Sequence, residues 1–360
     1  MDKSAVEQNT ILLVNAGSHA YGTNLPTSDL DTRGVCVATR DFVLGLRRFE
    51  QRIEKEPVDC TVYELRKYLA LAADANPNIL EIVFADDSAV LTQTPTGAKL
   101  RAHRHLFLSK KAKYTFSGYA IAQLKKIESH RRWLLNPPTA PPTRTEFGLP
   151  ERTVIPKDQL AAAQSLIRKQ TEAWENTLPT FGVDVTDPAQ LIDMRDKLMT
   201  TLTEMRLGTE EERQRAAGRS IGLDDNFIEL LDREHRYVQK RREWDNYRQW
   251  QSERNAARAE LERKYGYDTK HGMHLVRLMR MCREILTSGE VLVKRPDAAE
   301  LLTIRAGAWS YDRLMQWARD QDIEMNALYS KSTLPHTPDY AAINALCCEL
   351  IEQHWREAAA

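Results

Sequence analysis

Residues 17–37 read GSHAYGTNLPTSDLDTRGVCV, and the two aspartates in this stretch require an explanation. Asp29 and Asp31 stand one residue apart, directly before GVCVAT at 34–39, which has the composition of a β-strand. Acidic residues form strands poorly, and a strand projects alternate residues to the same side, so the two carboxylates would repel each other. We therefore expect a bound divalent cation to compensate for this repulsion.

A glycine and a serine stand twelve residues upstream of this acidic pair. Gly17 and Ser18 follow the apolar run ILLV at 11–14, which predicts a first strand. A glycine turn exposes backbone N–H groups and the serine adds a hydroxyl, which together make a small anion-binding site. Magnesium prefers few carboxylates, retained waters and phosphate oxygens, so the pattern is typical of a site for a metal-bound phosphate.

A third carboxylate is expected on a neighbouring strand. In PVDCTV at 57–62, Asp59 alternates away from the apolar side chains that flank it, and we select it over Glu54 and Glu56, which precede Pro57 at the strand entrance. The alternative for TSDLD is an ordinary Asx turn after a proline. The glycine-serine turn, the acidic pair and the third acid in combination favour a metal site.

The order of the patterns predicts an α+β fold, with a small mixed β-sheet head and flanking helices followed by a large, mainly α-helical body. Strand and helix signals alternate over the first ~110 residues, and Thr61 to Glu64 form a capping-box pattern before a helix. FSGYAIAQLKKIESHRRWLL predicts a long amphipathic helix, and a proline-rich connector follows near 136–150. We assign a catalytic domain to 1–110 and a helical domain to 111–360.

Composition limits the partners of this chain. Lysine plus arginine equal aspartate plus glutamate at 51 each, so a nucleic acid would be bound by a local basic patch rather than by net charge. The five cysteines include no CxxC pair, which is typical of reduced thiols in a cytoplasmic protein. No apolar stretch approaches the ~18 residues of a membrane span, so we expect a cytoplasmic protein without a membrane partner.

The stretch GSHAYGTNLPTSDLDTRGV resembles the signature of the DNA polymerase β-type nucleotidyltransferase superfamily, in which Gly-Ser, a spacer and Asp-x-Asp precede a distant third acid. Within it, the chain is similar to the bacterial and phage branch of predicted nucleotidyltransferases, part of which (the RlaP-type family) is associated with RNA repair. The resemblance continues in three later stretches, which are VDCTVYELRKYLALAADANPNILEIVF, YDTKHGMHLVRLMRMCREIL and LLTIRAGAWSYDRLM. Roughly 137–255 shows little similarity.

The resemblance implies roles for five residues, none of which is substituted here. Asp29, Asp31 and Asp59 would hold Mg²⁺ or Mn²⁺, as two ions, and Asp59 would also help to deprotonate an acceptor hydroxyl. Gly17 and Ser18 would bind the β- and γ-phosphates of a nucleoside triphosphate, and pyrophosphate would leave. Phosphoryl transfer depends mainly on positioning and charge neutralisation, which metals and backbone donors supply.

A cationic stripe is predicted on a helix in KHGMHLVR. Lys270, His274 and Arg277 stand at i, i+4 and i+7, on one face, and we consider them candidate contacts for the triphosphate. A solvated helix face is an equally good interpretation. Zinc binding by His271 and His274 is not expected, because no cysteine or acidic cluster completes the ligand set.

Three functions stay open at this stage. The first is transfer of a nucleoside monophosphate to an RNA (tRNA-like) 3′ end. The second keeps the chemistry but transfers the group to a protein side chain or a small molecule, which the zero net charge favours slightly. The third is a catalytically silent binding module, which the presence of all three acids disfavours. The nucleotide, the use of a template and the oligomeric state are not predicted.

Overall fold

The computed structural model of this chain describes residues 1–56, 58–153, 155–176, 210–254 and 256–358. Contacts divide the chain into two compact units. The first unit combines Met1–Asn136 with Asn255–Ala360, and the second is Pro137–Arg254. The functional domains assigned to 1–110 and 111–360 stay a prediction, since packing units and functional domains need not have the same limits.

A five-stranded mixed sheet lies in the first unit. Its strands are β1 Thr10–Ala16, β2 Asp31–Cys36, β3 Gln51–Glu54, β4 Asp59–Glu64 and β5 Val90–Gln93. The spatial order is β3-β4-β2-β1-β5, and β2 pairs with β4 in parallel while the other three pairs are antiparallel. The predicted α+β class with a small mixed sheet is thus confirmed.

Helices make up most of the remaining described chain. In chain order they are α1 Lys3–Gln8, α2 Gly17–Tyr21, α3 Arg40–Val43, α4 Leu65–Ala73, α5 Pro77–Val83, α6 Pro95–Ala102, α7 Lys111–Leu135, α8 Lys157–Asn176, α9 Glu210–Ser220, α10 Asp225–Glu253, α11 Ala256–Tyr265, α12 Thr269–Ser288, α13 Ala298–Arg305, α14 Tyr311–Lys331 and α15 Tyr340–Glu357. Short 3₁₀ helices occur at Asp87–Ala89, Arg104–Phe107 and Arg144–Phe147. The predicted helical body is confirmed.

Strand β2 begins earlier than the prediction of 34–39. Its antiparallel pairing with β1 and its parallel pairing with β4 both start at Asp31, because partners on two sides extend the strand to that residue. Asp29 precedes the strand. The predicted alternation that would put Asp29 and Asp31 on one strand face was therefore wrong for Asp29.

The start of α4 also differs from the prediction. Thr61 lies within β4, and the residue that caps the helix is Glu64, whose carboxylate accepts hydrogen bonds from the backbone N–H groups of Arg66 at 3.0 Å and Lys67 at 3.3 Å. The capping-box interpretation with Thr61 as N-cap was therefore wrong, because β pairing extends through Glu64. Asn76 then caps α5, with Pro77 in its first turn.

The core of the first unit joins the sheet to the long helices α7 and α12. Phe116 and Ile127 on α7 are buried, as the amphipathic pattern predicts, and so are Met273, Cys282 and Ile285 on α12. These apolar faces hold α12 beside the part of the chain that carries the sheet, and so position the residues at its start.

The second unit has a small core of its own, formed by Ile155, Ile167, Ala217 and Leu231. The predicted proline-rich connector near 136–150 contains the 3₁₀ helix at Arg144–Phe147. Among the described residues, no helix has both the length and the apolar character that crossing a membrane requires.

Candidate active site

Asp31 and Asp59 are neighbours across two parallel strands. Asp31 is the first residue of β2, Asp59 is the first residue of β4, and the two are register partners. Adjacent strands lie about 4.8 Å apart and register partners project to the same face of the sheet. The two carboxylates are therefore neighbours on one face. The sequence predicts Asp29 and Asp31 as the carboxylate pair and Asp59 as a third acid on a neighbouring strand, and the structure puts Asp59 beside Asp31.

The pKa of Asp31 is raised above its ordinary value, first by desolvation and then by the negative charges of Asp59 and Asp29. Arg33 and Lys270 lower that pKa, without removing the upward shift. The positive charges around Asp31 thus do not fully offset the cost of ionising its carboxylate. A cation bound at this position would relieve both the desolvation and the repulsion.

Gly17 lies directly against the Asp31 carboxylate. A β-carbon at residue 17 would lie 2.4 Å from Asp31 Oδ2, and the φ of Gly17 is +60°. Both the space and the backbone conformation therefore require glycine at this position. The structure therefore brings Gly17 and Asp31 together, while Ser18, the next residue of α2, is half-buried and its predicted contact with phosphate stays a prediction.

Asp59 is engaged by an arginine that sequence reasoning did not select. Arg33 Nη1 donates to Asp59 Oδ1 at 3.0 Å and to the Asp59 carbonyl oxygen at 3.1 Å. Arg33 stands two residues after Asp31 on β2, so the period of a strand puts both on one face. That spacing is the signal that could have identified it.

The carboxylate set fits magnesium in part. Asp29 is exposed in the segment before β2, and its charge acts on Asp31. In the part of the chain that the structure describes, Asp29, Asp31 and Asp59 do not have ligand atoms all within 4.8 Å of one another. Magnesium commonly binds one or two carboxylates together with waters and phosphate oxygens, so the adjacent Asp31 and Asp59 suit it.

A cavity of about 250 Å³ opens beside Asp31. Its lining combines groups that can bind an anion, a cation or a base, and includes Asn15, Gly17, Asp31, Arg33, Tyr63 and Glu81. Asn15 and Tyr63 are strand residues that sequence reasoning missed, because neither belongs to a charged pattern. The cavity provides open space next to the Asp31 carboxylate.

The three residues of the predicted cationic stripe on α12 differ in solvent exposure. Lys270 is exposed and its charge acts on Asp31, which brings it to the site. His274 is half-buried, and its pKa lies well below the ordinary value because of desolvation and of the neighbouring cations Arg277 and Lys270. Only Lys270 of the three therefore combines exposure with influence on the carboxylates.

Arg277 belongs to a buried network. Its Nη1 donates to Glu81 Oε1 at 2.5 Å, and its guanidinium carbon lies 3.8 Å from the centre of the Tyr21 ring. Tyr21 OH donates to Glu81 Oε2 at 2.6 Å. Arg277 is 4% exposed, so its predicted contact with phosphate stays a prediction that this network disfavours. Sequence reasoning missed Glu81, which lies in an otherwise apolar helix.

Comparisons with known proteins concern mainly the N-terminal part of the chain, which carries the sheet. Residues 2–138 match the family model described as RNA repair pathway DNA polymerase beta family, RlaP, which confirms the resemblance over those residues. An uncharacterised 38.9 kDa protein from the nrdC-mobD intergenic region of Enterobacteria phage T4 is 27% identical over 129 residues. That alignment covers 32% of this chain and 38% of the phage protein. No solved structure matches this chain significantly.

Proposed function

From the polymerase β-type resemblance of residues 2–138, we propose that this protein is a metal-dependent nucleotidyltransferase. It moves a nucleoside monophosphate from a nucleoside triphosphate to an acceptor hydroxyl and releases pyrophosphate. The proposed acceptor is an RNA (tRNA-like) 3′ end. The family description, which names RNA repair, supports this acceptor, and no feature of the site identifies the base.

One observation carries the proposal: Asp31 and Asp59 are partners on parallel strands, with Gly17 against Asp31. The ionised form of Asp31 is disfavoured at this position, because its pKa is raised by desolvation and by the charges of Asp59 and Asp29. A phosphate-metal complex is the ligand that would stabilise these carboxylates. Gly17 leaves the room that the Asp31 carboxylate itself occupies.

The proposed roles are those that the family resemblance implies for these residues. Asp31 and Asp59 hold divalent Mg²⁺ or Mn²⁺, and Asp29 is the third ligand of a two-ion site. Bound divalent ions neutralise the charge of the triphosphate and polarise its α-phosphate. Gly17 and Ser18 bind the β- and γ-phosphates through backbone N–H and hydroxyl groups. Lys270 adds a positive charge on the exposed side, and His274 stays a candidate contact.

The proposed reaction is an in-line displacement. The acceptor oxygen forms a bond to the α-phosphorus while the bond from that phosphorus to the pyrophosphate oxygen breaks. The acceptor proton passes to the carboxylate of Asp59. Arg33 orients that carboxylate through Oδ1, which leaves its second oxygen to accept the proton.

A label-transfer assay tests this proposal. Wild-type protein is incubated with Mg²⁺, a tRNA pool and each of four α-labelled nucleoside triphosphates separately. We expect label on RNA from the wild type, and a loss of about 10²–10³-fold or more in Asp31→Asn, since a group aimed at developing charge contributes at least that much. Asp87→Asn, an exposed aspartate on a 3₁₀ helix, is the control and keeps full activity.

The alternatives give distinct results in this assay. Label on a protein or a small molecule instead of RNA would show that the acceptor is not RNA, while the proposed nucleotidyl transfer would stand. Absence of label from every acceptor, together with unchanged biological activity of the Asp29, Asp31 and Asp59 triple alanine variant, would make the protein a silent binding module and overturn the proposal.

A further inference from the structure

Two histidines and an aspartate meet away from the Asp31–Asp59 pair. His130 lies on α7, Asp268 is the N-cap of α12, and His271 lies in the first turn of α12. One ligand atom from each of the three lies within 4.8 Å of the others. Among the described residues, no other group of three metal-ligating side chains has its ligand atoms this close together.

The distances are close to those of a metal centre. Asp268 Oδ2 lies 3.6 Å from His271 Nε2 and 3.9 Å from His130 Nδ1. Zinc bonds of about 2.0–2.1 Å in a tetrahedron separate neighbouring ligand atoms by about 3.3 Å. Movements of about 0.3 Å and 0.6 Å would bring the nitrogens of His271 and His130 to that separation from Asp268 Oδ2.

Asp268 is held in the orientation that a ligand needs. Its Oδ1 accepts a hydrogen bond from the backbone N–H of His271 at 3.1 Å, which caps α12, and its Oδ2 faces the two imidazoles. The residue is 0% exposed, so its carboxylate is desolvated and a bound cation would stabilise its charge. Trp133 stacks on the His130 ring with centres 5.5 Å apart and so fixes that imidazole.

We propose that His130, Asp268 and His271 bind one Zn²⁺ ion, with water in the fourth position. Two imidazoles and one carboxylate suit zinc among the divalent ions, whereas magnesium and calcium prefer oxygen ligands alone. The site is separate from the proposed catalytic centre and shares no residue with it. It therefore does not depend on the nucleotidyltransferase proposal.

Its position assigns the ion a structural purpose. The three ligands connect α7 to the first turn of α12, and Lys270 lies between Asp268 and His271 in sequence. The charge of Lys270 acts on Asp31. A bound zinc ion would thus fix the start of the helix that carries the one exposed cation of the predicted stripe.

Metal analysis and calorimetry test the site directly. Full-length protein made without a histidine tag is stripped of metal, and Zn²⁺ is titrated into it in the wild type and two variants. Asp268→Asn keeps a good N-cap residue while removing the ligand charge. We expect one equivalent of zinc in the wild type and a loss of at least about 100-fold in affinity in Asp268→Asn, because even outer-shell changes cost 10–100-fold.

The matched control is Asp339→Asn. Asp339 caps α15 by accepting from the Ala342 N–H at 3.0 Å, it is exposed, and it is not part of the cluster. We expect this variant to bind zinc as the wild type does. Equal loss of zinc from both variants would show that binding does not depend on the His130, Asp268 and His271 cluster, and would overturn the proposal.

A further variant separates this site from the catalytic carboxylates. We expect Asp31→Asn to keep its zinc equivalent, and a loss of zinc in this variant would place the ion at the catalytic centre instead. Cobalt substitution of the wild type gives a readout that needs no variant: visible d–d bands of four-coordinate Co²⁺ are expected. A wild type that binds less than a tenth of an equivalent of either ion would leave an imidazolium–carboxylate cluster and overturn the proposal.

Discussion

Gly17 and Asp31 are in such close contact that a β-carbon on residue 17 would lie 2.4 Å from Oδ2 of Asp31. The contact follows from the pairing of β1 with β2, in which Ala16 is the register partner of Asp31. Strand pairing thus fixes the position of the turn after β1 relative to the carboxylate at the start of β2.

We expect Gly17→Ala to lose about 100-fold in nucleotidyl transfer, because displacement of a reacting group by about 1 Å costs that much. Gly22 is the matched control. It also has a positive φ, +72°, but a β-carbon there would meet only Ala298 at 3.7 Å. Both variants should lose about 1–2 kcal/mol of stability from the left-handed backbone. Equal activity losses in the two variants would show that backbone strain, rather than the contact with Asp31, is responsible.

Removal of the Asp31 charge should stabilise the metal-free protein. The pKa of Asp31 is higher in the folded state than its ordinary 3.8, so the native state binds a proton that the unfolded chain releases. Stability therefore falls as pH rises from 3.8 through the folded pKa, and the loss persists at pH 7. We expect Asp31→Asn to unfold at a higher temperature than the wild type in EDTA.

Magnesium should reverse this order. A ligand present at 100 times its Kd stabilises the native state by about 2.7 kcal/mol, and we expect this gain in the wild type but not in Asp31→Asn. Thermal unfolding with and without Mg²⁺ measures both effects. An equal response of the two proteins to Mg²⁺ would place the ion elsewhere.

The buried pair of Glu81 and Arg277 should show strong thermodynamic coupling. Arg277→Met leaves the Glu81 carboxylate buried without its cation, which costs about 3–5 kcal/mol. We expect the double variant Glu81→Leu/Arg277→Met to lose clearly less than the sum of the single variants. Urea unfolding of the four proteins measures this cycle, and additive losses would contradict the network.

Stability should decrease in mild acid because of His354. This side chain is 6% exposed, its Nε2 lies 3.0 Å from Asn9 Oδ1, and burial lowers its pKa below 6.5. The unfolded chain therefore takes up a proton before the native state does, and stability falls as pH drops through 6.5 toward the folded pKa. The slope contributed by one such proton is at most about 1.4 kcal/mol per pH unit.

His354→Gln tests this expectation, because glutamine retains a donor for Asn9 and does not titrate. Urea unfolding of both proteins between about pH 5 and 8 gives the two slopes. We expect the variant to lose less stability than the wild type below pH 6.5. Parallel curves would assign the acid sensitivity to other groups.

The sequence predicted those parts of the fold that depend on neighbours along the chain. The glycine-serine turn and the acidic residues at the strand starts follow a local pattern, and the structure brings Gly17, Asp31 and Asp59 together. The start of β2 was misjudged because strand ends are set by pairing with β1 and β4 rather than by the composition of the strand itself.

Contacts between distant segments could not be predicted in this way. Arg277 was selected as an exposed cation from helical spacing, but its partner Glu81 is 196 residues away. Likewise, zinc was set aside because His271 and His274 lack a nearby acid cluster, whereas the histidine that joins His271 and Asp268 is His130 on α7. Such pairings depend on tertiary packing, which a single sequence does not reveal.

The separation between Glu81 and Arg277 also determines the order of events during translation. A ribosome that adds about 5–20 residues per second needs roughly 10–40 s to proceed from one residue to the other. In that interval, the emerging head carries a carboxylate whose counter-ion has not yet been synthesised. A nascent chain interrupted before α12 therefore lacks the guanidinium that pairs with Glu81 in the folded protein.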